Sequence, residues 1–404
     1  MSVEAFVSDL FRVGSLSVAM PGGRQITAGD GGEPRVAARV RDVETIAKIL
    51  ASPALGVGEA YMDGRLLIEE GSIHDLVDLA TRPRGAPRRR PGPLWRWMTR
   101  MINERNARRA ARRNVAHHYD LSQEFYRSFL DEDLQYSCAY FETPDASLEE
   151  AQLAKKRHIA AKLALEPGHR VLDIGCGWGG LGLSLAAWTG AKVDGVTLST
   201  EQLALANDRA EAAGLAGRTR FSLTDYRDVT GPYDRIVSVG MFEHVGRPHY
   251  QAFFDKIAAL LTADGVALIH SIGRAEGPST TDPFTAKYIF PGGYIPALSE
   301  VLPAVERAGL WIADIEILRL HYAETIRHWR TRFAAVRERW AEAQGERFCR
   351  MWEFYLSAAE VSFRHGGHMN FQIQLTKRKD ALPITRRYID EAERALAAKV
   401  LRAA

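Results

Sequence analysis

An acid and a run of glycines interrupt the chain at 173–180, between a short apolar stretch and a pattern of leucines typical of a helix. Glycine lets a backbone pass close to a ligand and expose its amide donors there. The order of strand, tight turn and helix therefore predicts a nucleotide-binding loop. A glycine-rich turn with only a structural role is the alternative interpretation.

Two titratable side chains follow predicted strands farther along the chain. Glu243 lies shortly after the strand predicted at 234–239, and His270 ends the strand predicted at 265–270. Because ligands in open α/β sheets bind at the carboxyl ends of the strands, both side chains are expected at one pocket. The alternative is an exposed glutamate and a histidine that is satisfied in the core.

The histidines and cysteines lack the spacing of metal ligands. His117 and His118 have no partner four residues away and no cysteine nearby, so no metal is predicted. The three cysteines, Cys138, Cys176 and Cys349, are far apart, which indicates a reducing cytoplasm. The acidic N-terminus does not resemble a signal peptide, and no apolar run approaches the ~20 residues of a membrane-spanning helix.

Alternating strand and helix patterns predict an α/β fold around a seven-stranded Rossmann-like sheet with helical insertions. Its strands are predicted at 171–174, 192–197, 221–223, 234–239, 265–270, 311–318 and 371–375. A small N-terminal α+β domain precedes the sheet, with strands at 15–20, 24–28 and 34–40 and helices at 43–51 and 73–80. The predicted domains are 1–82, a linker at 83–113 and 114–404, and the first is expected to recruit lipid or to dimerise.

The charge is distributed unevenly along the chain. Between Arg82 and Arg113 there are twelve arginines and one acid, a net charge of +11, so the rest carries −8 against a total of +3. Tryptophans at 95 and 97 lie among these arginines, as in segments that bind at membrane interfaces. Nucleic acid also attracts basic patches, and a solvated linker is the third interpretation. We predict an anionic membrane surface as the partner and no nucleic acid.

Eight motifs together make the chain similar to a known family. They are HHYDLS at His117–Ser122, YSCAYF at Tyr136–Phe141, LDIGCGWGG at Leu172–Gly180, GVTLS at Gly195–Ser199, MFEHVG at Met241–Gly246, HSIG at His270–Gly273, YIFPGGYIP at Tyr288–Pro296 and HYAETI at His321–Ile326. The chain resembles the cyclopropane-fatty-acyl-phospholipid synthases, relatives of the mycolic acid cyclopropane synthases. These enzymes have the class I S-adenosylmethionine-dependent methyltransferase fold.

The resemblance implies transfer of a methyl group from S-adenosylmethionine to a cis double bond of an acyl chain, followed by ring closure when a bound bicarbonate ion removes a proton. It implies a bicarbonate site of five residues, Cys138, Glu243, His270, Tyr322 and the backbone of Ile272, with Tyr119 near the intermediate cation. A rival mechanism has Glu243 itself as the base.

The resemblance also implies a cofactor site of twelve residues: Tyr136, Ser137, Asp173, Gly175, Cys176, Gly177, Gly179, Thr197, Leu198, Gln202, Asp225 and Tyr226. The motif GEAYMDG in the N-terminal domain is similar to the extra domain of the phospholipid enzymes. The expected substrate is therefore an unsaturated phospholipid in the bilayer. The protein is expected to form a homodimer in the cytoplasm and to bind peripherally to the inner face of the plasma membrane.

Two other functions stay open at this stage. The same fold could produce methyl- or methylene-branched chains without closing a ring. A lipid carrier that binds the cofactor without catalysis is the other alternative, which the presence of Glu243, His270 and Tyr322 disfavours.

Overall fold

The computed structural model describes residues 3–82 and 122–403, with side chains described up to residue 399. His117, His118, Tyr119 and the basic segment after Arg82 lie outside the described residues. The contacts within the described part group it into two compact units. We call residues 3–82, 281–291 and 323–367 the N-terminal unit, and residues 122–280, 292–322 and 368–403 the sheet unit.

The N-terminal unit begins with a small mixed sheet and short helices. Its elements up to residue 82 are α1 (Val3–Leu10), β1 (Ser15–Ala19), β2 (Gln25–Gly29), β3 (Arg35–Val40), α2 (Val43–Ala51), α3 (Pro53–Met62), β4 (Leu66–Glu70) and α4 (Ile73–Thr81). The four strands lie in the order β2-β1-β3-β4. Asp42 caps α2 by accepting a hydrogen bond from the Thr45 backbone at 2.8 Å, because an N-terminal carboxylate satisfies an amide that has no partner inside the helix.

The sheet unit is built on seven strands, which confirms the predicted α/β class. They are β5 (Arg170–Ile174), β6 (Lys192–Thr197), β7 (Thr219–Leu223), β8 (Tyr233–Val239), β9 (Leu261–Arg274), β10 (Trp311–Leu318) and β11 (His368–Thr376). Their order is β10-β11-β9-β8-β5-β6-β7. The strands from β9 to β7 are parallel, whereas β11 runs antiparallel to both β9 and β10. The carboxyl ends of five parallel strands therefore meet at one edge of the sheet.

The helices that follow residue 122 connect and cover these strands. They are α5 (Gln123–Arg127), α6 (Leu148–Lys162), α7 (Gly180–Thr189), α8 (Thr200–Ala212), α9 (Tyr250–Leu260), α10 (Leu298–Arg307), α11 (His321–Gln344), α12 (Glu346–Arg364) and α13 (Arg387–Ala403). From residue 323, α11 belongs to the N-terminal unit, as does all of α12. No helix among the described residues has the length and apolar character to cross a membrane.

Apolar clusters on the sheet fix the positions of the strand ends. Phe253, Phe254 and Ile257 of α9 pack with Ile236 and Ile269 of the sheet in one cluster. A second cluster joins residues of α6 and α7 to β5, β6 and β8: Ile159, Leu181, Leu185, Val171, Val193 and Val237, together with Leu163 at the end of α6. Parallel strands that are buried in this way read as continuous apolar runs, which is why the sequence predicted them well.

Candidate active site

One cleft lies at the carboxyl ends of β5, β6, β7 and β8. Eleven of the twelve residues predicted to hold the cofactor line it: Tyr136, Ser137, Asp173, Gly175, Cys176, Gly177, Thr197, Leu198, Gln202, Asp225 and Tyr226. Gly179 is outside the lining, and it caps the start of α7 in the left-handed conformation, with φ of 82°. The structure thus brings these residues together from segments that are more than 80 positions apart in the sequence.

The glycine loop depends on backbone conformations that other residues rarely adopt. Gly175 has φ of 81°, and its amide and that of Cys176 donate to the Val196 carbonyl oxygen at 2.9 and 3.1 Å. A Cβ added to Gly175 would lie 2.9 Å from the Cβ of Met241. The close approach of this loop to both neighbouring strands therefore requires glycine at 175.

Asp173 is a buried acid at the floor of the cleft. Its side chain is in a residue only 1% exposed, and burial raises its pKa to about 7. Within the described residues, Oδ2 has no hydrogen-bond partner. A buried acceptor in this state fits a positively charged group such as the amino group of a bound amino acid.

Asp225, at the other end of the cleft, already has a strong partner in the structure. Arg227 donates to it through its guanidinium at 2.8 and 2.6 Å and through its backbone amide at 3.0 Å. Arg227 also lines the cleft, and the sequence analysis did not include it. An arginine two residues after an acid is too common on surfaces to have identified it.

Thr197 and Gln202 form a small hydrogen-bonded pair at the end of β6. The Thr197 hydroxyl donates to Gln202 Oε1 at 2.9 Å, and Ser199 caps α8 by accepting from the Gln202 amide at 3.3 Å. The cap fixes the first turn of α8 against the strand. The side chain of Gln202 lines the cleft, and its nitrogen Nε2 takes no part in these two hydrogen bonds.

Tyr136 and Ser137 line the cleft, and residues of α5 and α6 hold their segment in place. The Tyr136 ring packs against the Tyr126 ring with centroids 5.3 Å apart. Lys155 of α6, which is fully buried, donates to Ser137 Oγ and to Gln135 Oε1, both at 2.7 Å. Sequence analysis missed Lys155, because a lysine in a charged helix normally lies on its solvated face.

Glu243 and Ile272, two members of the predicted bicarbonate site, are joined directly. The Ile272 amide donates to Glu243 Oε1 at 2.6 Å. Burial raises the pKa of Glu243 to about 7, and among the described residues Oε2 has no hydrogen-bond partner. Near neutral pH this carboxyl group can therefore either donate or accept a hydrogen bond through Oε2.

His270 is held by two amides of the neighbouring strand. Asn370 Nδ2 and Gln372 Nε2 of β11 lie 3.3 and 3.2 Å from its two ring nitrogens. Burial lowers the pKa of His270 to about 3, so the ring is neutral in the physiological range. The sequence analysis missed both amides, although the alternation of Asn370, Gln372 and Gln374 in an otherwise apolar strand was an available signal.

Cys138 and Tyr322 are buried, and their segments are connected through His321. Cys138 is 1% exposed and its thiol contacts the Ala139 carbonyl oxygen at 3.3 Å, while Tyr322 is 9% exposed. The Phe141 amide donates to His321 Nδ1 at 2.9 Å, and the His321 ring stacks on Tyr140 with centroids 5.0 Å apart. His321 therefore anchors the start of α11 to the segment that contains Cys138. Convergence of all the predicted bicarbonate ligands on one point stays a prediction.

Metal ligation receives no support from the described residues. Among them there is no group of three or more His, Cys, Asp or Glu side chains arranged to hold a metal ion. The polar groups at the strand ends are an amide-held histidine and two protonatable carboxyls, which suit organic ligands and small anions.

Comparison with known proteins identifies relatives of this arrangement. Residues 106–373 match the family described as mycolic acid cyclopropane synthetase, and residues 3–86 match a domain of unknown function. A probable fatty acid methyltransferase of Pseudomonas putida is 35% identical over 83% of this chain and 86% of its own length. The cyclopropane-fatty-acyl-phospholipid synthase of Escherichia coli is 37% identical over 81% of this chain and 84% of its own.

Solved structures agree with this relationship. The mycolic acid cyclopropane synthase CmaA1, determined in complex with SAH and CTAB, is 34% identical, with a TM-score of 0.62. The match covers 65% of this chain and 97% of that one. The chain, with its glycine loop and cleft at the carboxyl ends of the parallel strands, belongs to the cyclopropane synthase family of S-adenosylmethionine-dependent methyltransferases.

Proposed function

We propose that this protein is a cyclopropane-fatty-acyl-phospholipid synthase. It acts on a cis double bond in an acyl chain of a bilayer phospholipid and uses bicarbonate as the base. The observation that carries the proposal is the state of the buried Glu243 carboxyl group. One of its oxygens accepts a hydrogen bond from the Ile272 amide, and the other has no hydrogen-bond partner among the described residues. The relative from E. coli, similar over most of both chains, supports phospholipid as the substrate class.

The residues of the cleft fit S-adenosylmethionine. Asp173 offers a buried acceptor for the amino group, and the left-handed glycines beside it let the backbone approach a ligand closely. When bound, the cofactor supplies an electrophilic methyl group, and the alkene that receives it becomes a carbocation whose added methyl must lose a proton before the ring closes. An alkene is a poor nucleophile, so the residues that hold the cofactor act mainly by aligning the two reactants.

The residues around Glu243 fit a small anion that takes this proton. With a pKa raised to about 7 by burial, Glu243 shares a proton with an anion rather than repelling it. His270 is neutral and can donate through one ring nitrogen, which replaces one of its contacts to Asn370 or Gln372. The site thus supplies hydrogen-bond donors to a bicarbonate ion from neutral groups.

The test is conversion of defined vesicles by the full-length protein. Vesicles of a cis-monounsaturated phospholipid are incubated with S-adenosylmethionine, and the acyl chains are analysed by mass spectrometry before and after mild hydrogenation. We expect chains that gain one methylene unit and do not take up hydrogen. A gain of one methylene unit with uptake of hydrogen would indicate a methylene-branched product. In a parallel incubation with a hydride donor, a gain of one carbon and four hydrogens would indicate a saturated methyl-branched one.

The second candidate function, formation of branched chains, is favoured by one comparison. The relative from Pseudomonas putida is described as a probable fatty acid methyltransferase and covers as much of the chain as the synthase does. The product analysis above separates these two functions directly. If the protein binds the cofactor but modifies no acyl chain, both enzymatic functions are wrong, and the non-catalytic lipid carrier is the function that is left.

The role of bicarbonate is tested by initial rates in degassed buffer. We expect the rate of the unaltered protein to fall when bicarbonate is removed. Glu243→Gln should lose about tenfold or more in activity and recover part of it at high bicarbonate. Glu360→Gln, which alters a buried carboxyl group of the N-terminal unit, is the matched control and should depend on bicarbonate as the unaltered protein does. Full activity without bicarbonate, with Glu243→Gln inactive at every concentration, would make Glu243 the base.

A further inference from the structure

Lys155 is a buried cation that the proposed chemistry does not use. It lies on α6 with no exposed surface, and its ammonium donates to Ser137 Oγ and Gln135 Oε1, both at 2.7 Å. Burial of a charged group is costly unless hydrogen bonds and opposite charges compensate it. Packing alone therefore does not account for a lysine at this position.

The direction of these hydrogen bonds has a consequence for Ser137. An ammonium group has only donors, so the Ser137 oxygen must accept from Lys155, and its own O–H is left to donate elsewhere. The Ser137 carbonyl oxygen is fixed as well, since it accepts from Gln152 Nε2 at 3.0 Å. Ser137 lines the cleft, so it presents a hydroxyl donor there.

The position of Ser137 indicates which end of the cofactor it meets. A Cβ added to Gly240, directly after β8, would lie 3.9 Å from the Ser137 Cβ. Asp225 and Tyr226 follow β7, at the opposite end of the strand order β8-β5-β6-β7. Asp173, whose Oδ2 has no partner among the described residues and fits the amino group of the cofactor, lies on β5 next to β8, so the amino-acid portion of the cofactor lies toward Ser137 and Asp173. That portion has a carboxylate, which needs a donor, and an amino group, which needs an acceptor.

We propose that Lys155 is a positioning residue that fixes the Ser137 hydroxyl as a donor to the carboxylate of S-adenosylmethionine. The same ammonium favours the charged form of Asp173, the acceptor for the amino group. The proposal depends on the cofactor that the family uses and not on which lipid product is formed, so it can fail while the proposed function stands.

The electrostatic surroundings are consistent with this role. Burial lowers the pKa of Lys155 to about 8, and the nearby Asp131 and Asp133 oppose that shift, so the group is mainly charged at neutral pH. Lys155 in turn lowers the pKa of Asp173 against the larger effect of burial. Lys156 further lowers the pKa of Lys155 and Cys138 raises it, and Lys155 contributes to the lowered pKa of His270.

The test compares two ligands in the full-length protein by calorimetry. S-adenosylhomocysteine has the amino-acid carboxylate, whereas 5′-methylthioadenosine lacks the whole amino-acid portion. We expect Lys155→Met to weaken S-adenosylhomocysteine binding about tenfold or more, the effect of one lost hydrogen bond to a charged group, and to change methylthioadenosine binding less than about twofold. Equal losses for both ligands, as a general structural defect would give, would overturn the proposal.

A matched control and a double mutant complete the experiment. Lys162→Met removes another fully buried lysine of α6, whose partners are Glu316 and Asp314, and it should not change the ratio of the two affinities. In a Ser137→Ala background, Lys155→Met should weaken S-adenosylhomocysteine binding less than it does alone, because the shared hydrogen bond is already lost and only the effect on Asp173 remains. If Lys155→Met does not fold, Ser137→Ala alone decides, since an unchanged ratio of affinities in that variant also rejects the proposal.

Discussion

Glu243 combines an unfavourable position for stability with a favourable one for chemistry. Its carboxyl group is buried, one oxygen is bound to the Ile272 amide, and the pKa is raised to about 7 because burial disfavours the charged form. A glutamine would keep the hydrogen bond to Ile272 without a charge to bury. The choice of an ionisable group at this position therefore points to its use in proton exchange with a ligand.

This conflict predicts that Glu243→Gln stabilises the protein in a pH-dependent way. Between an unfolded pKa of about 4.3 and the folded value of about 7, the folded protein holds a proton that the unfolded chain has released. The contribution of Glu243 to stability is therefore lost as pH rises through this window. Glutamine does not titrate, so the variant should gain melting temperature over the unaltered protein at about pH 8 and little at about pH 5.

Calorimetric melting of both proteins at the two pH values measures this difference. Asp173 and His270 titrate in both proteins, so their contributions cancel in the comparison. A difference of the same size at both pH values, or a less stable variant at the higher pH, would contradict the raised pKa.

At the scale of the elements, the bounds of two strands were predicted correctly at both ends. The predicted bounds of β6 and β10 agree with the structure at both ends, and a glycine in the left-handed conformation, Gly190 or Gly309, interrupts the extended backbone two residues before each strand. The bounds of β9 were predicted too short, at 265–270 against Leu261–Arg274. This strand pairs with both β8 and β11, and those tertiary pairings extend it beyond its own apolar run.

The sequence analysis missed β4 and α3, and the glycines of α3 explain why that helix was missed. Gly56 and Gly58 lower the helix propensity of α3, so the segment 56–64 was not assigned to a helix. In the structure these glycines permit close packing, because a Cβ on Gly56 would lie 2.6 Å from the backbone of α2 and one on Gly58 would lie 2.4 Å from the Phe284 ring. Tertiary contacts thus outweigh a local preference that the sequence shows clearly.

Site residues follow the same division between local and distant signals. The glycine loop was predicted from local spacing alone. Lys155, Asn370 and Gln372 were not, since their significance lies in partners on other elements: Ser137 for the lysine and His270 for the two amides. The sequence around a buried polar residue in a helix or strand does not show which distant residue is its hydrogen-bond partner.

The packing of α3 predicts a destabilising effect for Gly58→Ala. The added methyl group would lie 2.4 Å from the Phe284 ring and 2.8 Å from the Phe354 ring, so one of these aromatic side chains must move. Such overpacking costs roughly 1–3 kcal/mol, which exceeds the better helix propensity of alanine. Urea unfolding followed by fluorescence and circular dichroism should show a lower midpoint.

Gly217→Ala is the matched control for this substitution. A Cβ at Gly217 meets no atom within 4 Å, and its φ is not in the left-handed region. Its unfolding midpoint should stay within experimental error of the unaltered protein. Equal midpoints for Gly58→Ala and the unaltered protein would mean that α3 does not pack as described.

At the scale of the whole molecule, the distribution of charge bears on access to the substrate. The stretch from Arg82 to Arg113 carries +11, although the remainder of the chain carries −8. The proposed substrate, a phospholipid acyl chain, is available only in a membrane, so the proposed function requires binding at the bilayer surface. Each basic residue near an anionic leaflet contributes about 1 kcal/mol to such binding.

We therefore expect the five substitutions Arg84→Glu, Arg88→Glu, Arg89→Glu, Arg90→Glu and Arg96→Glu together to weaken binding to anionic vesicles by more than about a hundredfold. Binding to S-adenosylhomocysteine should not change, because the described residues that line the cleft belong to other segments. Sedimentation with vesicles measures the first quantity and calorimetry the second. Molar salt, which shortens the screening length to about 3 Å, should reduce binding of the unaltered protein in the same way.

The control variant has the same change in net charge at a different place. It reverses five exposed arginines of the described residues, Arg12, Arg24, Arg35, Arg378 and Arg386, whose ion pairs at the surface contribute little to stability. If membrane binding depends on the basic segment, the control should sediment with anionic vesicles nearly as well as the unaltered protein. Equal losses in both variants would show that only the total charge matters, and unchanged sedimentation of the first variant would exclude the segment as the membrane-binding element.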